Sequence, residues 1–239
     1  MSSDLSIKFD RVSKKFSKSA IQHGLLRDDL VMFFKRNKNV DCLKTDEFWA
    51  LDQISFKIPK GSSIGLYGPN GSGKSTLLKL IANVISPTTG KITINGRIAP
   101  LIELGAGFHP DLNGIENIYM NGAILGMTIG EIKSKIERII EYSELSDFIS
   151  TPVKKYSSGM KLRLGFSIAI HSEADIFLFD EILSVGDEAF QEKSLNSIQK
   201  LLKNKKTLFI VSHNKKRLTG MADKILILEK GKIKWNIFD

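Results

Sequence analysis

At 239 residues, with 42% hydrophobic and 26% charged side chains, the chain is long enough for a substantial core and too ordinary in composition for a disordered or fibrous protein. No apolar run approaches the roughly 18–20 residues of a membrane helix, the N-terminus MSSDLSIKFD lacks a signal-peptide pattern, and Cys42 stands alone, so a soluble cytosolic subunit without an internal disulfide is expected. The net charge of +9 is uneven: residues 192–239 hold twelve Lys/Arg against four Asp/Glu, and Lys200 to Arg217 carries seven basic residues and no acid, which suits an anionic membrane surface, an acidic partner, nucleic acid, or simply a solvated face.

Strand-like and helix-like segments alternate along the chain, the pattern of an α/β protein with a largely parallel sheet. Leu5, Ile7 and Phe9 alternate with polar residues as a first strand; Leu51, Ile54, Phe56 and Ile58 mark a second, closed by the turn Pro59-Lys60-Gly61. Residues 17–47 form an insertion between them. Leu25, Leu26, Leu30, Phe33 and Phe34 are spaced there for one amphipathic helix, which faces either a membrane partner or the protein's own sheet. Ser62 to Tyr67 predicts a short strand feeding a glycine-rich loop, and Thr76 to Val84 a helix after it. From about 114 to 171 the pattern is helical, with Ile132, Ile136, Ile139 and Ile140 on one face, so a helical subdomain of about 103–171 is predicted beside the sheet. Residues 175–180 (DIFLFD) and 206–211 (KTLFIV) are continuous apolar runs, as expected of strands buried on both faces. Ile225 to Leu228 and Ile233 to Trp235 predict a closing hairpin around Lys230-Gly231.

Gly68, Pro69, Asn70, Gly71, Ser72, Gly73, Lys74 and Ser75 match G-x-x-x-x-G-K-[ST], placed between a strand and a helix as that motif requires. Glycines let the backbone wrap closely around an anion, and the helix that begins near Lys74 adds the positive end of its dipole. In such a loop Lys74 reaches the β- and γ-phosphates of a nucleoside triphosphate, and the Ser75 hydroxyl, followed by Thr76, binds Mg²⁺. Ile176 to Phe179 anchor a buried strand that ends in two acids: Asp180 is the candidate Mg²⁺ ligand, and Glu181 the candidate to orient or deprotonate the attacking water.

With these residues the chain resembles, over nearly its whole length, the nucleotide-binding subunits of ABC transporters. The resemblance implies one P-loop NTPase domain over 1–239: a mostly parallel core sheet, an antiparallel β subdomain and an inserted helical subdomain. Tyr156-Ser157-Ser158-Gly159-Met160 takes the place of the signature L-S-G-G-Q, at the start of a helix predicted over about 159–171. Ser157, Ser158 and Gly159 are thereby implied to grip the γ-phosphate of ATP held by a second copy. Ser184-Val-Gly-Asp187 looks like the D-loop between the two sites, and Ser212-His213 like the switch histidine. Glu103 falls where the Q-loop glutamine is usual; its carboxylate still suits Mg²⁺ or water but adds negative charge near the phosphates. Phe16 and Trp49 compete for the adenine-stacking position, and either also suits a core.

Three segments narrow the resemblance to exporters of bacterial surface polysaccharide: YSSGM with the following Lys161-Leu-Arg163-Leu-Gly-Phe, Asp180-Glu-Ile-Leu-Ser-Val-Gly-Asp187, and Leu101-Ile-Glu-Leu-Gly-Ala-Gly-Phe108-His-Pro. The expectation is an ATPase at the cytoplasmic face of the inner membrane. Two copies would sit on a separate transmembrane permease that moves lipid-linked O-antigen, capsule or teichoic acid. The sequence ends at Asp239 soon after its last strand, so no appended carbohydrate-binding domain is expected. The rivals are a soluble ABC ATPase acting on nucleic acid or ribosomes, which would have use for the basic C-terminal region, and a module that holds ATP without turnover. Glu181 and His213 argue against the second, the absence of long coiled-coil segments and of a second cassette argues against the first, and nucleic acid is not expected as a partner. The absence of N-K-x-D argues against a GTPase.

Overall fold

The computed structural model describes residues 4–17, 46–102, 105, 107–180 and 187–236. Most of the 17–47 insertion, Glu103 and Glu181 lie outside these residues.

Two sheets organise the chain. The first is antiparallel, ordered β2-β1-β4, from β1 (Leu5–Ser17), β2 (Glu47–Pro59) and β4 (Thr89–Ile94). Its first two strands are far longer than the apolar alternation predicts, because the alternation changes parity inside each: Ile7 and Phe9 give way to Val12, and Leu51 to Ile54. The structure places irregular register there, with Arg11 and Gln53 at φ 48° and 50°. Such bulges keep Phe9, Val12, Leu51 and Ile54 all buried despite the change of parity. Phe9 stacks on Phe56 with ring centroids 4.5 Å apart.

The second sheet has the order β5-β6-β7-β3-β8-β9. Its members are β3 (Ser63–Tyr67), β5 (Ile98–Leu101), β6 (Ile176–Asp180), β7 (Thr207–Val211), β8 (Lys224–Glu229) and β9 (Lys232–Asn236); only β9 runs antiparallel, as the predicted hairpin requires. The apolar runs of β6 and β7 are explained by two cores, one on each face. Ile176, Leu178 and Phe209 join α1 (Lys74–Ile81) and the antiparallel sheet on one side. Phe177, Phe179, Leu208 and Ile210 face Phe166 and Phe190 on the other. Because β6, β7 and β3 are neighbours, their C-terminal ends form one edge, where open α/β sheets place their ligands.

Between β5 and β6 stand α2 (Gly114–Ile124), α3 (Ile129–Ser143) and α4 (Ser158–His171), as predicted, around a third core of Ile118, Ile132, Ile139, Leu164 and Ile168. Complete capping boxes start α2 (Asn113 with Glu116) and α3 (Thr128 with Glu131). The Thr128 backbone N–H and Arg97 hold the Glu131 carboxyl down to about 2. A further helix, α5 (Glu188–Lys203), follows β6, and a short one, α6 (Lys215–Thr219), follows β7. The basic stretch 200–217 is therefore split by the buried strand β7, roughly 16 Å long: Lys200, Lys203 and Lys205 lie exposed before it, Lys215 and Lys216 beyond it.

His171 ends α4 with Nδ1 2.8 Å from the Ser167 carbonyl, facing the Tyr142 ring. Burial pushes its pKa down, opposed by the Ser167 bond and aided by Lys135 and Arg138. A depressed folded-state pKa means that the unfolded chain takes the proton first, so acidification through about pH 6.5 destabilises the fold. Melting temperature is expected to fall between pH 7.5 and 5.5, at no more than about 1.4 kcal/mol per pH unit from this one group. His171→Gln is expected to flatten that slope; an unchanged slope would assign the acid sensitivity elsewhere.

Candidate functional site

The loop 68–73 leaves β3 and enters α1 by a path that few side chains permit. A Cβ on Gly68 would stand 2.3 Å from the Leu228 carbonyl oxygen, and one on Gly73, at φ 105°, 2.6 Å from that of Ala50. Gly71 at φ 75° has open space around it. The Ser72 N–H donates to the Pro69 carbonyl (3.2 Å) and the Gly231 N–H to that of Ser72 (3.1 Å), so the β8–β9 turn braces the loop from behind. Lys74 Nζ donates to the carbonyls of Gly68 (2.8 Å) and Pro69 (3.0 Å), which places an ammonium inside the loop's own curve. No side chain caps α1. Its first-turn N–H groups and the Lys74 ammonium together suit an anion.

This loop borders a cavity of about 820 Å³, with Gly71, Gly73, Lys74, Ser75 and Thr76 in its lining. Asp180 joins them from the end of β6, half-buried, so the Ser75 hydroxyl and the Asp180 carboxylate present hard oxygen donors to the same space. Phe16, Phe48 and Trp49 line the same cavity. Both aromatic residues singled out from the sequence thus reach the cavity, and Phe48 is a third that sequence reasoning misses. Its signal is the pairing of β1 with β2, which sets Phe48 opposite Phe16 with ring centroids 6.2 Å apart. Trp49 also borders a separate groove of about 520 Å³ on the antiparallel sheet, shared with Arg11 and Gln53. An anion cradle, a metal-compatible pair and an aromatic lining fit a nucleoside triphosphate with its cation.

His213 is exposed just beyond β7. The Ser212 N–H donates to the Leu66 carbonyl (3.2 Å), and the Ser212 hydroxyl accepts from the Asn214 N–H (3.0 Å), which holds this turn at the edge where the phosphate loop begins.

The turn 156–160 lies elsewhere. Tyr156 is buried, its hydroxyl donating to the Phe148 carbonyl (2.8 Å) while burial pushes its pKa up. Ser157 caps α4, its hydroxyl accepting from the Met160 N–H (3.1 Å). Among the described residues, a Cβ on Gly159 would meet only the Ser157 hydroxyl, at 3.8 Å. Ser157, Ser158 and Gly159 line a cavity of about 650 Å³ together with Asp187, and among the described residues this cavity has no lining residue in common with that of the phosphate loop. The structure thus sets Asp187 beside the signature turn, away from its own chain's phosphate loop.

The ABC transporter family profile matches residues 51–184, which span the phosphate loop, the signature turn and the Asp180 strand. The chain is 40% identical over 228 residues to the O-antigen export system ATP-binding protein RfbB of Klebsiella pneumoniae, covering 95% of this chain and 92% of that protein. The chain belongs to the ABC transporter family. The teichoic acids export ATP-binding protein TagH of Lactococcus lactis is 45% identical over 188 residues, 79% of this chain and 40% of TagH. Among solved structures, a dimeric ATP-binding cassette, MJ0796, bound to ADP and phosphate superposes with a TM-score of 0.74 at 20% identity, over 98% of this chain and 99% of that one. The fold is accordingly that of an ABC ATPase cassette. The family match stops at Ser184, before His213 and the β8–β9 turn that braces the phosphate loop, but the RfbB likeness runs over nearly the whole chain.

Proposed function

We propose that residues 1–239 act as one cassette, the ATP-hydrolysing subunit of an exporter that moves lipid-linked polysaccharide across the cytoplasmic membrane. O-antigen is the foremost cargo, with capsule and teichoic acid as the alternatives. The names of the RfbB and TagH relatives support the cargo class. No helix among the described residues is long and apolar enough to cross a membrane. In this reading, which the names of the export-system relatives support, a separate transmembrane permease carries the pathway and holds this subunit at the cytoplasmic face. The basic residues around β7 lie in two groups with a buried strand between them, which offers nucleic acid no continuous track and leaves the nucleic-acid rival unsupported.

One observation supports the mechanism: among the described residues, the phosphate loop and the signature turn line cavities with no residue in common. In this reading a γ-phosphate seated at one chain's Lys74 meets Ser157, Ser158 and Gly159 of another chain. Each copy supplies both halves, the self-complementary arrangement of a twofold dimer. In this reading the backbone from Gly68 to Gly73 wraps the phosphates, Lys74 neutralises the β- and γ-phosphoryl oxygens, and Phe16, Phe48 or Trp49 stacks on adenine. Ser75 and Asp180, with Glu103 in support, hold Mg²⁺, which when bound offsets charge on the phosphate oxygens. Glu181 accepts the proton of the attacking water, and His213 positions that carboxylate and the γ-phosphate. Asp187 faces the partner's loop. ATP binding closes the pair; hydrolysis and phosphate release let it open and drive the permease.

Glu181→Gln tests this directly. Steady turnover is expected to fall at least 100-fold while ATP binding stays within about twofold, and ATP should drive the variant into a stable dimer on sedimentation. Undiminished turnover, or a strictly monomeric ATP-loaded variant even beside its permease, would remove the proposal.

A further inference from the structure

Arg163 stands in the second turn of α4, after the signature turn, with its side chain only 19% exposed. One guanidinium nitrogen donates to the Glu144 carboxylate (2.6 Å) and another to the Asp187 carboxylate. Its central carbon, Cζ, lies over the Phe190 ring, 5.1 Å from the centroid. Each of these partners is fixed in turn. Glu144 sits at the left-handed C-cap of α3, φ 58°, and its second oxygen accepts from Lys193 of α5 (2.8 Å). Asp187 caps α5, its other oxygen accepting from the Phe190 N–H (3.0 Å). Lys193 also donates to the Tyr142 carbonyl (3.0 Å) and lies 4.5 Å over that ring. Phe190 itself is buried among Phe166 and Tyr142.

The result is a circuit Lys193–Glu144–Arg163–Asp187 of alternating charges, closed only through the backbone of α5, that joins the end of α3, the signature helix α4 and the start of α5. Its carboxylates are about half exposed, so the ion pairs contribute little to overall stability. What the circuit fixes is geometry. A guanidinium has a rigid fork of donors that bridges two carboxylates at once; an ammonium is a point charge that lacks the fork. Glu144, Arg163 and Asp187 line the same cavity as Ser157, Ser158 and Gly159.

We infer that Arg163 is a positioning residue for nucleotide-driven dimerisation. It holds Asp187 and the signature turn as one rigid jaw, so that a partner's triphosphate meets both at once. The inference rests on the two-copy reading above and adds to it the element that keeps the partner-facing half in shape. Because the jaw, among the described residues, shares no lining residue with the phosphate loop, loosening it leaves the binding of ATP to a single chain untouched.

The test compares Arg163→Met, Arg163→Lys and Glu144→Gln in the hydrolysis-dead Glu181→Gln background. ATP affinity is measured by titration at low protein concentration and dimerisation by sedimentation at saturating ATP. Arg163→Met is expected to weaken ATP-driven dimerisation at least tenfold with ATP affinity within twofold. Arg163→Lys and Glu144→Gln should each fall between parent and Arg163→Met, and adding Glu144→Gln to Arg163→Met should cost little more, as for residues of one circuit. In the active background, the protein concentration that gives half-maximal specific activity should rise at least tenfold. Should Arg163→Met fold poorly, Arg163→Lys, which keeps charge and length, carries the comparison. Dimerisation equal to the parent in Arg163→Met and Arg163→Lys overturns the inference, as does a parallel loss of ATP affinity, the mark of a general structural role. Failure of the Glu181→Gln parent itself to dimerise with ATP strikes instead at the two-copy reading, and takes this inference with it.

Discussion

Lys74→Ala is expected to weaken ATP binding by about 10- to 100-fold, the loss of contacts to a charged group worth about 1.5–3 kcal/mol. Without nucleotide the Lys74 ammonium donates to the carbonyls of Gly68, which is buried, and Pro69, which is exposed, so water readily takes over at Pro69 when the side chain is removed. Stability of the free protein should therefore fall by no more than about 1 kcal/mol, roughly 2–4 °C in melting temperature for a domain of this size. The two readouts separate a ligand contact from a loop brace. If the lysine served mainly to stitch the loop, the free protein would melt lower than this and ATP would still raise its melting temperature by the usual linkage. Lys74→Arg is expected to fail too, because a planar fork cannot take the place of a point charge inside so tight a curve. Calorimetric titration with ATP, paired with melting curves at fixed ATP, decides between these outcomes; unimpaired affinity would remove Lys74 from the site.

How far the sequence could be read depended on whether each element advertised a single environment. The strands β6 and β7 were legible because DIFLFD and KTLFIV are buried on both faces and so show continuous apolar runs. The phosphate loop was legible because its path demands glycine at Gly68 and Gly73, where a Cβ would collide with a carbonyl oxygen. The far halves of β1 and β2 were obscured by the parity change at their bulges, and with them the approach of Phe48 to the cavity. The helix α5 went unpredicted even though Phe190, Ser194 and Ile198 repeat at helical spacing; seen among so many lysines, that stripe was overshadowed by the charge pattern. Distances between segments were not legible at all. Asp187 follows Asp180 by seven residues, yet its carboxylate turns to Arg163 beside the signature turn, and no spacing rule says so. Arg163 likewise looks in sequence like one more basic residue on a helix, and only the fold reveals the two carboxylates it joins.

Gly159 offers the sharpest division between a residue that serves the fold and one that serves the second copy. It occupies the first turn of α4, where glycine costs up to about 0.8–1 kcal/mol relative to alanine, the figure for a helix interior, and among the described residues a Cβ there would meet no packing atom nearer than 3.8 Å. Nothing among the described residues therefore asks for glycine at this position. Gly159→Leu is expected to leave the isolated protein as stable as the parent or to raise its melting temperature by roughly 1–3 °C. ATP affinity of the single chain should be unchanged, since among the described residues the phosphate loop shares no lining residue with the signature cavity. Steady ATP turnover should nevertheless fall at least 100-fold, because the new side chain fills the space into which the partner's triphosphate must come. The variant thus moves stability and activity in opposite directions, which a damaged fold cannot imitate. Gly159→Ala, whose single methyl takes up less of that space, should lose less. Normal turnover in Gly159→Leu would mean that no phosphate approaches this helix tip and that the two cavities work without each other.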